Sequence, residues 1–381
     1  MQILTVLEGP SWADYHIAGS LEEMGHSVTR FTYGSHVGEF YPQARASQRL
    51  QKNRDLLNTA KAMQAEGGLD LIFCYVYDDF LLPEYASALA DLNVPMVNFN
   101  VDMINQWYRQ SRTARYFTRM LCAQRMNMDQ LARYDAKVMY FPMAARLPAA
   151  VTSDAAAWLP AAPVTFVGTP MPYRTRVLKR LHEAGVPLSI YGKYWRENRQ
   201  SVPEYSREKT WSDLRHYTIA RLRAEGVQGL LRTLRQRFSP QQETGSSSLS
   251  LPAGLIHGFV PEGAMTAVFA NSRINLGFSR MVGEDPDVKG INQVKLRDFE
   301  VPMAGGFYLV EKAPDYEELF KPGVEVETWE TPAELIDKIH YYLQHENLRQ
   351  QIADAGATRA RAEHTWQQRF ACLFAELGLD N

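Results

Sequence analysis

The sequence predicts an α/β protein made of two domains, each built on a mostly parallel β-sheet. The chain has 381 residues, which is more than one ordinary domain requires. In both halves, short apolar runs alternate with longer amphipathic stretches, a rhythm typical of βαβ units. An alanine- and proline-rich stretch, 147–163, separates the halves. These observations predict two Rossmann-like domains in series.

The first domain is predicted to span residues 1–155. Its strands are expected at Gln2–Leu7, Val28–Thr32, Asp70–Tyr77, Pro95–Asn98 and Lys137–Phe141. Its helices are expected at Ala13–Met24, Ser47–Ala65, Pro83–Leu92 and Ser111–Arg133. Because each strand is followed by a helical stretch, the strands are expected to run parallel.

The second domain is predicted to span 156–365, with a helical insertion at about 195–250 and a final helix, 366–381, packing back towards the first domain. Its strands are expected at Val164–Val167, Leu188–Tyr191, Leu255–Phe259, Ile274–Phe278 and Gly306–Val310. Its helices are expected at Arg176–Ala184, Pro261–Asn271, Asn292–Met303, Pro332–His345 and Asn347–His364.

The composition predicts a soluble protein of the cytoplasm. Hydrophobic residues make up 45% of the chain, and no apolar run approaches the roughly 20 residues of a membrane span. The first residues form no export leader, and Cys74, Cys122 and Cys372 lie in apolar contexts that suit reduced core thiols. A net charge of -2 gives no general attraction to nucleic acid, so no nucleic-acid partner is predicted.

The loops that follow strands lack the motifs of two large enzyme classes. The segment after Leu7 does not contain the GxGxxG fingerprint of NAD-binding folds, and no GxxxxGK[ST] loop occurs in the chain. Asp285-Pro286-Asp287 matches a metal-holding DxD motif, but it lies in a charged loop, and no HxxxH or HxH pair occurs. We therefore predict neither a cofactor nor a metal site.

The richest polar segment is the predicted helix that starts near Asn292. At helical spacing, Gln293, Arg297 and Glu300 share one stripe, while Leu296, Phe299 and Met303 face the sheet. Arg297 is suited to a phosphate and Glu300 to ribose hydroxyls. The structural alternative is a simple Arg297–Glu300 ion pair of a few tenths of a kcal/mol.

The second half also carries a set of residues whose order resembles a known family. They are Phe166-Val167-Gly168-Thr169, Ile190-Tyr191-Gly192, His257-Gly258-Phe259-Val260, Leu296-Arg297-Asp298-Phe299-Glu300, Gly305, Asp315, Phe320, Gly323, Glu325, Glu334-Leu335, His364-Thr365 and Arg369. In this order they are similar to the CgeB-like GT-B glycosyltransferases. The resemblance implies a GT-B fold, in which two Rossmann-like domains face each other across a cleft.

The resemblance further implies a donor site for a nucleoside-diphosphate sugar in the second domain. Glu300 stands where the family binds ribose, and the loop of Gly168 and Thr169 where it approaches the diphosphate. Asn292 replaces the first glutamate of the E-x7-E pattern of related retaining enzymes, so the stereochemistry stays open. The complete set of expected donor-binding residues is Gly168, Thr169, Arg174, Lys193, Gln293, Lys295, Arg297 and Glu300.

The first half offers candidates for a catalytic base. Asp102 follows a predicted strand, and an ionised carboxylate there could deprotonate an acceptor hydroxyl. Glu8, Asp14, Asp78 and Asp79 occupy comparable loops and compete with it. The structural alternative for Asp102 is a carboxylate that caps or fixes its own loop.

The predicted insertion is basic. Between 206 and 238, eight lysine and arginine residues stand against three acidic ones, interleaved with apolar residues at helical spacing. Such a segment can contact an anionic membrane at the inner face, or a charged or lipid-linked acceptor. The alternative is a solvated helical pair that packs on its own domain.

The expected function is therefore transfer of a sugar, as a hexosyltransferase of class EC 2.4, from a nucleoside-diphosphate sugar to a hydroxyl acceptor. The acceptor is a glycan, a lipid-linked molecule or a small molecule. Two alternatives remain open: a nucleotide-sugar epimerase of the same architecture, and a non-catalytic nucleotide-sugar-binding protein.

Overall fold

The computed structural model describes residues 1–9, 12–34, 37–38, 45–102, 106–146, 160–195, 251–283 and 285–379, and the single residues Thr218, Leu222 and Val227. The chain divides into two compact units. The first contains Met1–Pro142 and the chain from Trp366 onward. The second contains the described residues from Met143 to Trp195 and from Leu251 to Thr365. Each unit has its own six-stranded sheet.

The sheet of the first unit is parallel, with strand order β2-β1-β3-β4-β5-β6. Its strands are β1 (Gln2–Leu7), β2 (Ser27–Thr32), β3 (Leu71–Tyr75), β4 (Met96–Asn100), β5 (Arg119–Cys122) and β6 (Val138–Tyr140). All five residues of β4 are buried, as expected of a central parallel strand that is covered on both faces.

Helices connect these strands. They are a π-helical turn (Asp14–Ala18) continuing into α1 (Gly19–Glu23), α2 (Ala46–Glu66), α3 (Pro83–Ala90) and α4 (Met128–Ala132). Short 3₁₀ turns lie at Trp107–Gln110, Ala114–Tyr116 and Arg125–Asn127.

The predicted helix Ser111–Arg133 is wrong, because β5 runs through its middle. Arg119–Cys122 pairs with β4 on one side and β6 on the other, and Met120, Leu121 and Cys122 are fully buried. The local sequence is compatible with a helix. As a strand between β4 and β6, however, the segment buries its apolar side chains and forms backbone hydrogen bonds with both neighbours. Tertiary pairing therefore overrides local propensity.

The sheet of the second unit has strand order β14-β13-β10-β7-β8-β9, and its paired strands are parallel. Its strands are β7 (Val164–Val167), β8 (Leu188–Tyr191), β9 (Ile256–Gly258), β10 (Ile274–Gly277), β13 (Tyr308–Glu311) and β14 (Glu327–Trp329). A separate antiparallel ribbon joins β11 (Arg280–Val282) to β12 (Ile291–Asn292).

The helices of the second unit are α5 (Pro172–Glu183), α6 (Glu262–Asn271), α7 (Arg297–Met303), α8 (Tyr316–Leu319), α9 (Pro332–Gln344) and α10 (Glu346–Glu363). The core between helices and sheet includes Val177, Leu309, Trp329 and Ile339, all fully buried. Two parallel sheets, each with its helices, confirm the predicted α/β fold class.

The last helix, α11 (Trp366–Leu377), packs within the first unit. The rings of Trp366 and Phe370 contact Phe99 and Phe73, with centroids 5.7 Å apart in each pair. Cys372 lies on the opposite face and is exposed, so its predicted burial is wrong, whereas Cys74 and Cys122 are buried as expected. The physical reason is the amphipathic period of the helix, which turns position 372 to solvent.

The predicted insertion lies outside the described residues, apart from Trp195, Thr218, Leu222 and Val227. Within the part of the chain that the structure describes, no helix combines the length and apolarity needed to cross a bilayer.

Candidate functional site

Glycines join the loops that follow β7 and β8 at the carboxyl edge of the second sheet. The Gly168 amide donates to the Tyr191 carbonyl at 2.9 Å, and the Trp195 indole donates to the Gly168 carbonyl at 2.7 Å. Gly192 has φ 149°, and a Cβ there would lie 2.0 Å from the Gly168 carbonyl oxygen. Only glycine fits this approach. Gly168 and Thr169 therefore form a fixed turn leading into α5.

Arg174, in the first turn of α5, points back to this turn. Its Nη1 donates to the Thr169 carbonyl at 3.1 Å, and its guanidinium lies 5.8 Å from the Phe166 ring centroid. Its buried Nε donates no hydrogen bond to any described residue. Burial and, to a smaller extent, the charge of Arg297 together lower the pKa of Arg174 to about 10, against the opposing effects of Tyr308 and Glu311. Two cations on different helices thus lie within electrostatic range.

Helix α7 begins at Arg297, five residues later than predicted. The chain stays extended up to Asn292 because β12 pairs with β11. Gln293 is buried and lies before the helix, and its backbone amide donates to the Ser279 carbonyl at 2.9 Å. It therefore does not share a helical stripe with Arg297 and Glu300. The predicted inward face is confirmed for Phe299 and Met303, which are almost fully buried.

Arg297 and Glu300 pair with each other in this structure. The Arg297 Nη1 donates to the Glu300 carboxylate, with side chains 29% and 10% exposed. The Arg297 guanidinium also lies 5.5 Å from the Phe269 ring centroid. This is the arrangement of the structural alternative.

The ammonium of Lys295 is turned towards backbone oxygens. Its Nζ donates to the carbonyls of Phe278 at 2.7 Å and Arg280 at 3.2 Å, which joins α7 to the loop after β10. The Lys295 amide donates to the Asp298 carboxylate, and burial raises the pKa of Asp298 to about 6. Lys295 therefore connects the start of α7, where Arg297 lies, to the loop after β10.

Glu311, at the end of β13, holds the same loop from the other side and was missed by sequence reasoning. Its carboxylate accepts from the Ser279 and Arg280 amides at 3.0 and 3.1 Å, and from the Tyr173 hydroxyl at 2.7 Å. It also forms a buried ion pair with Arg280 at 3.1 Å. A polar residue ending an apolar strand was the available signal, but its partners are 31 to 138 residues away.

Lys193, which follows β8, is exposed. Its Nζ lies 4.6 Å from the ring centroid of Phe259, which follows β9 and is 51% exposed. Arg174 thus contacts the Gly168 turn and lies within electrostatic range of Arg297, whereas Lys295 binds the loop after β10. Lys193 contacts Phe259 one strand further along the edge.

Three of the candidate acids of the first unit are held by nearby protein groups. Asp79 binds Arg109 through both carboxylate oxygens, and Asp14 pairs with exposed Arg30. Asp78 accepts from the Thr113 hydroxyl at 2.5 Å and from the Arg112 amide at 2.8 Å. Burial raises the pKa of Asp78 to about 7. Asp78 and Asp79 thus fix the loop that follows β4.

The other two candidate acids lie just after strands. Glu8 follows β1, Asp102 follows β4, and both residues are half-buried. Burial raises the pKa of Tyr75, and the charges of Asp102 and then Glu8 raise it further. Burial also raises the pKa of Tyr77, and the same two carboxylates raise it further. Two acids from the loops after β1 and β4 therefore converge on the tyrosines of β3 and its following loop.

One carboxylate of the Asp285–Asp287 segment is already paired within the protein. The Asp287 carboxylate binds the Arg180 guanidinium through two hydrogen bonds of 2.7 and 2.5 Å. Across the described ranges, no three histidine, cysteine or acidic side chains are grouped so that they could hold a metal ion.

Comparisons with known proteins place these features in context. Residues 228–375 match a family model described as glycosyl transferase-like. Sucrose-phosphate synthase from Thermosynechococcus elongatus has a similar structure, with TM-score 0.59, 12% identity and 99% of both chains covered. HepE from Anabaena in complex with UDP-glucose gives TM-score 0.58, 12% identity and 99% coverage of both chains. A glycosyltransferase from Rickettsia africae gives 0.56, 10% identity, and 98% and 97% coverage.

No curated protein matches the chain in sequence. At these identities the structural likeness establishes the fold. The chain therefore has the two-sheet fold of the GT-B glycosyltransferases, and its residues 228–375 are glycosyl transferase-like in sequence.

Proposed function

We propose that the protein is a CgeB-like glycosyltransferase that transfers a hexose from a nucleoside-diphosphate sugar to a hydroxyl acceptor. The glycosyl transferase-like segment contains Lys295, Arg297 and Glu300, and the solved relative HepE binds UDP-glucose. A uridine nucleotide is therefore the first donor to test.

The observation that carries the proposal is the guanidinium of Arg174, a half-buried residue whose Nε atom is fully buried. Its Nε has no hydrogen-bond acceptor among the described residues, and a second cation, Arg297, lowers its pKa. Burying an arginine next to a like charge is unfavourable unless an anion binds there. A diphosphate supplies several acceptor oxygens and the opposite charge. Its position beside the Gly168 turn, at the carboxyl edge of a parallel sheet, fits a nucleotide.

Arg297 and Glu300 are proposed to separate when the donor binds. Arg297 then contacts the diphosphate, and Glu300 accepts hydrogen bonds from the ribose hydroxyls. The partly exposed Arg297 side chain makes this exchange feasible, because an exposed ion pair costs only about 0.2–1 kcal/mol to break. Lys295 and Gln293 support the site, and Lys193 contributes at its margin.

The proposed reaction is a direct group transfer. Asp102 accepts the proton of the acceptor hydroxyl, whose oxygen forms a bond to the anomeric carbon of the donor sugar. The bond between that carbon and the phosphate oxygen breaks, and the nucleoside diphosphate leaves with its electron pair. Arg174 and Arg297 stabilise the negative charge that develops on the leaving group. No metal ion or other cofactor is proposed for this step.

The basic segment 206–238 is proposed to bring the protein to a lipid-linked acceptor at the anionic inner face of the membrane. Deleting 207–246 is then expected to leave UDP affinity within twofold and to lower transfer to the natural acceptor. Loss of UDP binding in a deletion variant that still folds would assign the segment to the donor site instead.

Calorimetric titration of uridine and UDP tests the donor site directly. Arg174→Ala is expected to weaken UDP binding about tenfold to a hundredfold, the loss of charged hydrogen bonds of about 1.5–3 kcal/mol, while uridine binding stays within twofold. The matched control is Arg180→Ala on the same helix, whose side chain is 40% exposed and pairs with Asp287. Unchanged UDP affinity in folded Arg174→Ala would refute this site.

A further inference from the structure

Two aromatic side chains form a partly exposed surface at the carboxyl edge of the first sheet. The rings of Trp12, after β1, and Tyr75, at the end of β3, have centroids 5.5 Å apart and planes inclined by 58°. Both residues are half-buried. Aromatic faces carry a negative quadrupole and pack well against the polarised C–H groups of a sugar ring.

The strand register brings carboxylates to the same place. Leu7 pairs with Tyr75, so Glu8 begins the loop directly beside the end of β3. Cys74 pairs with Asn98, and Asp102 lies two residues beyond the end of that strand. Carboxylates accept strong hydrogen bonds from hydroxyl donors. A sugar that rests on the two rings would therefore meet acceptors suited to its hydroxyl groups.

The charge of this edge discriminates between kinds of sugar. The Arg109 guanidinium is held by both oxygens of Asp79 and lies 3.8 Å from the Tyr77 ring centroid. Arg112 donates to the Asp78 carbonyl at 2.9 Å. These cations are thus bonded within the protein, and the carboxylates of Glu8 and Asp102 repel a phosphate or carboxylate brought close to them.

We propose that the carboxyl edge of the first sheet binds an uncharged sugar as acceptor, packed on Trp12 and Tyr75, with hydroxyls donating to Glu8 and Asp102. This inference rests on the proposed glycosyltransferase function and names the chemical class of the acceptor. Glu8 is a specificity residue in this arrangement because its charge excludes anionic sugars.

Saturation-transfer NMR with methyl glucoside and glucose 6-phosphate tests the site without any donor. The wild-type protein is expected to bind methyl glucoside at least tenfold more tightly than glucose 6-phosphate. Trp12→Ala is expected to raise the Kd for methyl glucoside at least tenfold, whereas Trp12→Phe, which keeps an aromatic face and protects folding, restores most of the affinity. Tyr341→Ala, which removes a 46% exposed aromatic from α9, is the control and should change nothing.

The variant Glu8→Gln tests whether the negative charge of Glu8 excludes anionic sugars. It keeps the shape and a hydrogen-bond acceptor while removing the negative charge, so the preference for methyl glucoside over glucose 6-phosphate should fall at least threefold. Equal binding of the two sugars by the wild type, or an unchanged Kd in folded Trp12→Ala, overturns the proposal.

A transfer assay separates this inference from the proposed function. Sugar binding that depends on Trp12, in a protein that binds no UDP, refutes the donor assignment and supports the sugar site. UDP release from UDP-glucose that is stimulated equally by both sugars, with an acceptor KM unaffected by Trp12→Ala, supports the transferase and refutes the sugar site.

Discussion

The Arg297–Glu300 pair yields the most discriminating prediction, because each partner is expected to bind a different part of the donor. Glu300→Ala removes the proposed ribose acceptor, and Arg297→Ala removes the proposed phosphate ligand. In the structure the two side chains bind each other, with Glu300 only 10% exposed and Arg297 29% exposed. Nucleotide binding therefore competes with an existing contact.

The expected magnitude follows from this competition. Hydrogen bonds from ribose hydroxyls to a carboxylate contribute about 1.5–3 kcal/mol. Breaking a partly exposed ion pair costs about 0.5–1 kcal/mol of that. The net loss in Glu300→Ala is then about 0.5–2.5 kcal/mol, or roughly twofold to seventyfold in affinity for both uridine and UDP. Arg297→Ala frees Glu300, so uridine affinity is expected to rise by up to about fivefold, while UDP affinity falls.

Calorimetry with uridine and UDP on both variants measures these opposite changes. The control is Glu363→Gln, since the Arg359–Glu363 pair on α10 has an arginine of equal exposure, 29%, joined to a carboxylate 50% exposed. It should leave both affinities unchanged. Parallel denaturation curves establish that all the variants fold.

If Glu300→Ala folds and binds uridine and UDP with wild-type affinity, Glu300 does not bind the ribose. The proposed role of Arg297 is refuted if Arg297→Ala weakens uridine as much as UDP, since Arg297 would then contact the nucleoside. In either case the pair stabilises α7 and the donor site lies elsewhere.

Three further predictions follow from the second unit. Gly192→Ala should weaken UDP binding at least tenfold in calorimetry and lower stability, because its Cβ would lie 2.0 Å from the Gly168 carbonyl oxygen; a neutral effect would show that the turn adapts. Burial raises the pKa of Asp298 from 3.8 to about 6, so its contribution to the unfolding free energy is full below about pH 4 and is lost as pH rises through about 6. Denaturation at pH 4.5 and 7.5 should show a smaller decline in Asp298→Asn than in the wild type, and an equal decline in both would contradict the assignment. Sugar transfer should survive EDTA, and the double variant Asp285→Asn, Asp287→Asn should change the rate less than twofold; activity abolished by EDTA and restored by manganese would assign a metal to the reaction.

The βα rhythm of the sequence was sufficient to predict most strands. β1, β7 and β8 match their predicted bounds, and the ends of the other predicted strands differ from the structure by at most two residues. These strands are short apolar runs bounded by polar or glycine residues, so the period of hydrophobicity marks them without reference to any other part of the chain.

Strand β5 and the start of α7 depend on distant partners instead. Arg119–Cys122 becomes a strand because β4 and β6 leave a place between them, and Asn292 stays extended because β11 pairs with it. No local pattern contains this information, since the pairing residues are far apart in sequence. The predicted stripe of Gln293 with Arg297 and Glu300 failed for this reason.

The sequence alone predicted which basic and acidic residues lie near the carboxyl edges of the two sheets, because functional residues commonly occur in the loops that follow parallel strands. The sequence determined that Arg174, Arg297, Glu8 and Asp102 follow or adjoin such strands. Only the tertiary structure decided that Lys295 is bound to carbonyls, that Asp78 and Asp79 hold a loop, and that Glu311 organises Ser279 and Arg280. A side chain's role depends on which groups the fold brings within about 3 Å of it, and sequence spacing does not encode that distance.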